Sequence, residues 1–323
     1  MSRKKRRRRS TTPKRRQGTA APPSTTGPPS KSRTGAPPDL ARETKTSYAG
    51  DRFASGKPHQ LAARSPRDSQ VLETLAGEVA LRTVDAEHQH RLRRQIHEQM
   101  LLTSRTLDGP NFRKVSGDDV ARLIRLYDDH FFAGRVLAAA SAEGVSFQLS
   151  SRMTSVGGKL VTQYPDGDHN GRRHFQLVLS STLLFQTFED VSRPVKVAGC
   201  LCHDRLEAMQ RVAEHEFVHL IEMLIWNDGN CNESRFQSIA HRYFGHTDYQ
   251  HNLITQRERA AVKFNIRVGD TVVFHHDGHR LRGRVNRITR RATVLVPNPK
   301  GQPFTDGKCY VRYYVPLEQL TRV

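Results

Sequence analysis

The stretch DRLEAMQRVAEHEFVHLIEMLIW, residues 204–226, predicts one long amphipathic helix. Asp204 followed by Glu207 is typical of the capping pair that begins a helix. Apolar residues then recur at helical spacing and form one stripe: Leu206, Met209, Phe217, Leu220, Ile221, Leu224 and Ile225. A helix with this much apolar surface is expected to be buried inside a domain.

Three residues of this helix have the types and spacing of a metal site: His215, Glu216 and His219. Histidines four positions apart lie on the same side of a helix, so both imidazoles can reach one zinc ion. Glu216 is then placed to act as the catalytic base and take a proton from water. In a chain of this kind, the pattern arises by chance in roughly a few per cent of cases. Surface or core histidines are the alternative, but the apolar context favours a metal site, and the pattern predicts a zinc-dependent peptidase.

Charge is distributed unevenly along the 323 residues, whose formal net charge is +20. Residues 1–70 hold 18 Lys and Arg against 4 Asp and Glu, and residues 264–323 hold 11 against 4. The 193 residues between them hold 23 against 24. Polyanions are the natural partners of such basic segments, because binding releases counterions from phosphates. We therefore expect DNA as a partner of both ends; a basic surface kept for solubility is the weaker alternative.

Residues 1–69 are predicted to form a disordered basic tail. The run from Arg3 to Arg9 is entirely cationic, and Arg6, Arg7 and Arg8 within it are candidate nucleic-acid contacts. Pro, Ser, Thr and Gly then dominate to about Pro38, and such a segment buries too little apolar surface to offset its ordering entropy. Residues 70–112 follow as a helical segment that either braces the core or binds a partner.

Residues 113–262 are predicted to form an α+β domain. Ser116 with Asp119 begins a helix, and alternating apolar residues predict strands at 145–149, 160–164 and 175–179. A short helix, the long helix of residues 204–226 and a further helix at about 233–244 come next. This order is that of a zincin-like metalloprotease domain. We expect an extended substrate to pair with an exposed edge of the small sheet, at the strand from Phe175 to Leu179.

Residues 263–323 have a different pattern, with four or five short strands separated by glycine-containing turns. Sixty residues of this kind predict a small SH3-like or Tudor-like β-barrel. Its second strand and the turn after it are basic, and we expect five arginines to bind nucleic acid: Arg282, Arg284, Arg287, Arg290 and Arg291. A protein-binding or structural barrel is the alternative.

Cysteine content and hydropathy indicate the cellular compartment of the protein. Four cysteines in a chain of this length do not make a disulfide framework. No apolar run approaches the ~18 residues that span a bilayer, and the basic N-terminus lacks the apolar part of a secretory signal. We expect a soluble intracellular protein with no membrane partner, cytoplasmic and nucleoid-associated, or nuclear in a eukaryote.

Several segments between residues 115 and 255 share the order and spacing of one known family. They are Leu126-Tyr127 with Phe131-Phe132, Arg152-Met153-Thr154-Ser155 with Gly157-Gly158, the strand from Phe175 to Ser180, and the HEFVH element at 215–219. Together they resemble the SprT-like zinc metalloproteases, a group that includes the Spartan proteases. The resemblance implies a Zn²⁺ cofactor and proteolysis of proteins that are crosslinked or tightly bound to DNA, and hence a role in DNA repair.

The chain departs from this family at the third zinc ligand. The family usually follows its HExxH element with a His-Gly pair four residues before an aromatic residue. Here the aromatic residue is Phe236 and the corresponding position is Asn232, which is a poor zinc ligand. Cys231 is the favoured replacement because His₂Cys is an established catalytic zinc set. Glu233 is the next alternative and His246 the third.

Two functions remain open from the sequence. The first is a zinc peptidase that is recruited to DNA and cuts DNA-bound or DNA-crosslinked proteins. The second is a nucleic-acid-binding, chromosome- or ribosome-associated protein whose zinc site is structural or degenerate. The second alternative stays open because this chain has Asn232 where the family has a histidine. A peptidase unrelated to nucleic acid fits the charge distribution less well.

Overall fold

The computed structural model describes residues 66–164 and 172–323 of the protein. The predicted tail, with Arg6, Arg7 and Arg8, lies outside the described residues as far as residue 65. The described chain is mixed α+β, as the sequence predicts, and contains eight α-helices, one short 3-10 helix and three sheets. Among these helices, none combines the length and the apolar content that crossing a membrane requires.

Four helices precede the first strand: α1 (Pro66–Leu81), α2 (Ala86–Thr103), α3 (Gly117–Phe132) and α4 (Arg135–Ala140). Apolar residues of α1 and α2 are fully buried in the same core as α3, among them Leu75, Val79, Ile96 and Met100. The predicted helical segment of residues 70–112 therefore braces the core, which is the first of its two proposed roles.

The small sheet contains β1 (Val145–Ser150), β2 (Gly158–Gln163) and β3 (His174–Ser180), in the order β1-β3-β2. β1 is parallel to β3, and β2 is antiparallel to it. The predicted substrate edge at Phe175 to Leu179 is wrong, because β3 is the central strand and pairs on both sides. The free edges of this sheet belong to β1 and β2.

The long helix α6 (Arg205–Trp226) lies at the centre of the larger core. It follows α5 (Ser181–Gln186) and a two-stranded ribbon of β4 (Val195–Val197) and β5 (Cys200–Cys202). It packs against α3, β2 and β3, and also against α7 (Ser234–Phe244), which follows it in the chain. Eighteen of its residues are buried, so the helix crosses the interior rather than covering a surface.

The C-terminal part begins with α8 (Gln256–Lys263) and continues as β6 (Thr271–His276), β7 (His279–Ile288), β8 (Ala292–Pro303) and β9 (Cys309–Val315). A 3-10 helix (Leu317–Gln319) leads into the two-residue strand β10 (Thr321–Arg322). The five strands form one antiparallel sheet in the order β10-β6-β7-β8-β9, with an apolar core of its own. The predicted closed barrel is not formed in the described residues. β10 pairs with β6 only, and no ladder joins it to β9.

Candidate metal centre

Helix α6 positions the two histidines of the HEFVH element. Its N-terminus is capped by the Asp204 carboxylate, which accepts a hydrogen bond of 2.8 Å from the Glu207 backbone amide. Eleven residues after Asp204, His215 is fully buried, and the centroids of its ring and the His219 ring are 5.0 Å apart. The spacing in the sequence thus brings both rings to one side of the helix, as predicted.

Cys231 reaches the same place from the loop after α6. Asn227 ends the helix in the left-handed conformation, with φ of 53°, and this turns the chain back toward the helix. One ligand atom each from His215, His219 and Cys231 then lies within 4.8 Å of the others. The structure therefore brings together the two predicted histidines and the favoured third ligand.

Phe236 forms the wall behind this group. Its ring centroid is 4.7 Å from that of His215 and 4.5 Å from that of His219, and the side chain is 1% exposed. The ring comes from the first turn of α7. It holds both imidazoles against α6 and keeps water away from that side of them.

The other proposed third ligands lie elsewhere. Glu233 and Asn232 are exposed, and Glu233 is the N-cap residue of α7. His246 is buried, but its Nε2 atom lies 2.8 Å from Glu214 Oε2 and so contacts a different carboxylate. Neither Glu233 nor His246 belongs to the group formed by His215, His219 and Cys231.

Glu216 lies beside the group and is 1% exposed. Burial raises the pKa of its carboxyl to about 8. Its Oε1 atom is buried and has no hydrogen-bond partner among the described residues. A buried polar atom without a partner is costly in a stable core and is more typical of a site that works on a ligand.

Gly158 explains how β2 approaches this carboxylate so closely. A Cβ atom at Gly158 would lie 2.7 Å from both Cγ and Oε1 of Glu216. Any larger residue here would push Glu216 aside, and the edge strand β2 passes directly over this carboxylate. In the sequence, Gly157-Gly158 is only part of a family resemblance. The contact joins residues 58 positions apart and could not be predicted from it.

His251 is a second neighbour that sequence analysis did not predict. It is 8% exposed, and its Cδ2 atom lies 3.3 Å from the Cβ position of Gly157, at the start of β2. Burial lowers the pKa of this imidazole to about 4. A neutral histidine thus lies beside Gly157, the residue that precedes β2.

Burial also sets the protonation of the three candidate ligands. It holds the pKa of His215 well below its ordinary value and lowers that of His219 to about 4. Both rings are therefore neutral near pH 7, which is the form that coordinates a metal. Burial raises the pKa of the Cys231 thiol to about 11, and a bound cation would reverse that effect by favouring the thiolate.

A buried ionic network anchors α6 next to His215. Glu214 is fully buried and accepts from Arg93 Nε of α2 over 2.8 Å and from the Tyr127 hydroxyl of α3 over 2.7 Å. Arg211 and His246 contact the same carboxylate. Despite its burial, these partners hold the pKa of Glu214 well below its ordinary value. The network fixes the register of α6 against α2 and α3.

The structure divides the five arginines predicted to bind nucleic acid. Arg282, Arg284 and Arg287 are exposed on β7. Arg290 instead lines a cavity of about 610 Å³, together with Arg113, Arg205 and Arg259. Arg291 is exposed in the turn before β8. The three arginines of β7 form one surface, whereas Arg290 faces a separate cavity.

Comparison with protein-family models, curated proteins and solved structures found no match to this chain.

Proposed function

We propose that the protein is a zinc-dependent peptidase that is recruited to DNA and acts on DNA-bound or DNA-crosslinked proteins. The observation that carries this proposal is the group of His215, His219 and Cys231, with ligand atoms within 4.8 Å of one another, beside the buried Glu216. Two neutral imidazoles and one thiol match the His₂Cys set of catalytic zinc sites.

The composition of the group supports a catalytic site over a structural one. Structural zinc sites are closed by four protein ligands, whereas catalytic sites have three and leave one position open. The group found among the described residues has three members, and the nearby carboxylate has an oxygen without a partner. When bound there, zinc supplies a Lewis acid that polarises a peptide carbonyl and acidifies water.

Glu216 supplies the proton transfer in this mechanism. Its carboxylate takes a proton from the attacking water and then gives it to the amine that leaves. The pKa of about 8 that burial produces places the group near neutrality, where it can both accept and release a proton. A cation at the site favours its carboxylate form. Phe236 and the β2 backbone exclude bulk water around it.

The edge of β2 is the proposed binding position for the substrate. β2 pairs with β3 on one side only, and its first residue contacts Glu216. An extended peptide that adds to the other side of β2 forms backbone hydrogen bonds and places its own carbonyl beside Glu216. Substrate recognition by backbone pairing fits a peptidase with broad specificity.

Charge and resemblance support the DNA part of the proposal. The basic residues concentrate at the two ends of the chain, outside the nearly neutral metal domain. The motif order of residues 115–255 is similar to that of SprT-like proteases, which cut proteins that are crosslinked or tightly bound to DNA. We propose a zincin-like domain of that type followed by an SH3-like module, and a nucleoid or nuclear location follows from DNA recruitment.

A cleavage assay tests the proposal. The full chain with zinc is incubated with a DNA-binding protein, with and without DNA and with and without a chelator. We expect DNA-dependent cleavage by the wild type, and none with chelator or in Glu216→Gln. Replacing Glu216 with glutamine keeps the shape of the side chain and removes the group proposed to act as the base. If neither protein cuts while both bind zinc and DNA, the alternative of a DNA-binding protein with a structural zinc site is correct.

A further inference from the structure

Strand register places a row of cationic side chains on the outer face of the C-terminal sheet. Arg284 of β7 lies opposite Leu295 of β8, which in turn lies opposite Arg312 of β9. Arg282, two residues before Arg284, is on the same side of β7 and lies opposite Val273 of β6. Leu295, between two arginines, is only 8% exposed. Long arginine side chains typically cover such a residue with their aliphatic part while the charged end stays in water.

A second row runs beside the first. Arg287 lies opposite Thr293, and Thr293 lies opposite Tyr314 of β9. A shift in register between Val285 and Arg287 inserts one extra residue in β7. This bulge keeps Arg287 on the same face as Arg284, although the two residues are three positions apart. Tyr314 is 63% exposed, so most of its ring is accessible on this face.

The other face of the same sheet is its core. The residues that alternate with these arginines are buried against α8 and the 3-10 helix, among them Val272, Phe274, Val285, Val294 and Val315. One face is thus apolar and packed, whereas the other carries the arginines, with Val273 and Leu295 lying between them. We call Arg282, Arg284, Arg287, Arg312 and Tyr314 the outer face.

The cations of the outer face are not neutralised by neighbours. Within the part of the chain that the structure describes, Arg282, Arg284 and Arg287 form no ion pair. Arg312 lies over the Phe304 ring, with its guanidinium carbon 5.1 Å from the ring centroid. The carboxylate of Asp306 accepts a hydrogen bond of 2.7 Å from the hydroxyl of Tyr310, which lies on the same strand as Arg312.

We propose that the outer face binds single-stranded DNA. Arginines supply contacts to phosphate, and the exposed Tyr314 supplies a surface on which a base stacks, which is how sheet-based modules hold single strands. The sheet also disfavours a duplex. Five strands about 4.8 Å apart span about 19 Å, whereas the major groove is about 12 Å wide and admits a two-stranded ribbon.

The inference rests on the DNA part of the proposed function and is independent of its zinc chemistry. It identifies a particular surface and strand form, and it adds Arg312 and Tyr314 to the residues predicted from the sequence. Binding is therefore measured in the Glu216→Gln background with a chelator present. Under these conditions, the measured DNA affinity does not depend on whether the protein is a peptidase.

The binding test uses the full chain and fluorescence anisotropy. The probe is a 20-nucleotide oligodeoxythymidine, compared with a 20-base-pair duplex and with oligouridine of equal length. The variants are Arg284→Gln with Arg312→Gln, and Tyr314→Ala. The matched control is Arg105→Gln with Arg125→Gln, two exposed arginines of the helical part that remove the same charge.

We expect the Arg284/Arg312 variant to weaken single-strand binding about tenfold and to lower the salt slope by about 1.4 relative to wild type, at about 0.7 for each lost phosphate contact. Tyr314→Ala should also weaken it about tenfold, through loss of one stacked base, while Tyr314→Phe binds like wild type. The proposal is overturned if these variants bind like the control. It is also overturned if the duplex or the RNA is the preferred ligand.

A second measurement locates the contact independently of the basic tail. Oligodeoxythymidine carrying 5-bromodeoxyuridine is crosslinked to the full chain by ultraviolet light, and the modified peptides are identified by mass spectrometry. We expect crosslinks in residues 309–315, with loss of the Tyr314 adduct in Tyr314→Ala. Adducts confined to residues outside 264–323 would contradict the proposal.

Discussion

Cys231 comes one position before Asn232 in the chain. Asn232 corresponds to the histidine that is the third zinc ligand in the SprT-like proteases that this sequence resembles. His215, Glu216 and His219 could be predicted from spacing alone, because a helix fixes their relative positions. Cys231 could be ranked first only by its ligand chemistry. Its position depends on the left-handed Asn227 and on the length of the loop after α6, which local patterns do not specify.

Gly158 could not be predicted as a site residue, since its importance comes from a strand that packs on a helix far along the chain. A Cβ atom there meets Glu216 at 2.7 Å. Gly158→Ala should therefore displace the base or β2. We expect at least about a hundredfold loss of cleavage and a loss of about 1–3 kcal/mol in the free energy of unfolding. Activity assays and urea unfolding measure the two effects.

Gly77→Ala is the matched control for this substitution. Gly77 lies inside α1, and no atom lies within 4 Å of its Cβ position. Alanine in a helix interior should raise the free energy of unfolding by about 0.5–1 kcal/mol without affecting cleavage. If Gly158→Ala cleaves as well as Gly77→Ala, the close approach of β2 to Glu216 does not matter for cleavage.

Elements with strong periodicity or end signals were predicted well. The Ser116–Asp119 capping box and the Asp204 cap begin α3 and α6 as expected, and all three strands of the small sheet are confirmed. Their order could not be predicted, because alternation identifies a strand but not its neighbours. Because β3 is the central strand, the predicted substrate edge at Phe175 to Leu179 is wrong. In the described residues, β10 pairs only with β6, so the predicted barrel is not closed.

α8 was not predicted, although it links the two cores through ion pairs. Asp190 lies 2.7 Å from Arg259 and 2.6 Å from Lys263, both on α8. Hydrogen bonding from Arg259, reinforced by Lys263, lowers the pKa of Asp190 to about 2. The folded pKa is below the ordinary 3.8, so the ion pairs stabilise the fold above about pH 4 and lose this effect as the pH falls toward 2.

Asp190→Asn should therefore lower the free energy of unfolding by roughly 1 kcal/mol at pH 7, given the partial exposure of the pairs. The difference from wild type should shrink between pH 4 and pH 2. Urea unfolding at several pH values measures it, with the exposed Asp129→Asn as control. A difference that stays constant down to pH 2 would mean that Asp190 is not an ionised partner of α8.

At the scale of the whole molecule, charge separates the two ends of the chain from its centre. The segment of residues 71–263 is nearly neutral, whereas the ends carry the excess of Lys and Arg. Composition alone identified this division. Composition does not show which C-terminal arginines lie on the outer face and which, like Arg290, line the cavity. That depends on the strand register, which the bulge in β7 shifts.

The basic N-terminal run should contribute to DNA affinity through counterion release. Replacing Arg6, Arg7 and Arg8 with glutamine should lower the slope of log affinity against log salt by about 2 for a single strand, at about 0.7 per lost contact. Anisotropy titrations at several salt concentrations measure the slope. The Arg105→Gln with Arg125→Gln protein is the control, and an unchanged slope would remove these three residues from the binding surface.

Zinc binding by His215, His219 and Cys231 underlies the proposed peptidase activity. Its most direct test is the zinc content of the purified full chain after dialysis, measured by mass spectrometry of the metal. We predict about one zinc per chain for wild type and for Glu216→Gln, a clear loss in Cys231→Ala, and recovery in Cys231→His. Retention of a full equivalent of zinc by Cys231→Ala would contradict the account.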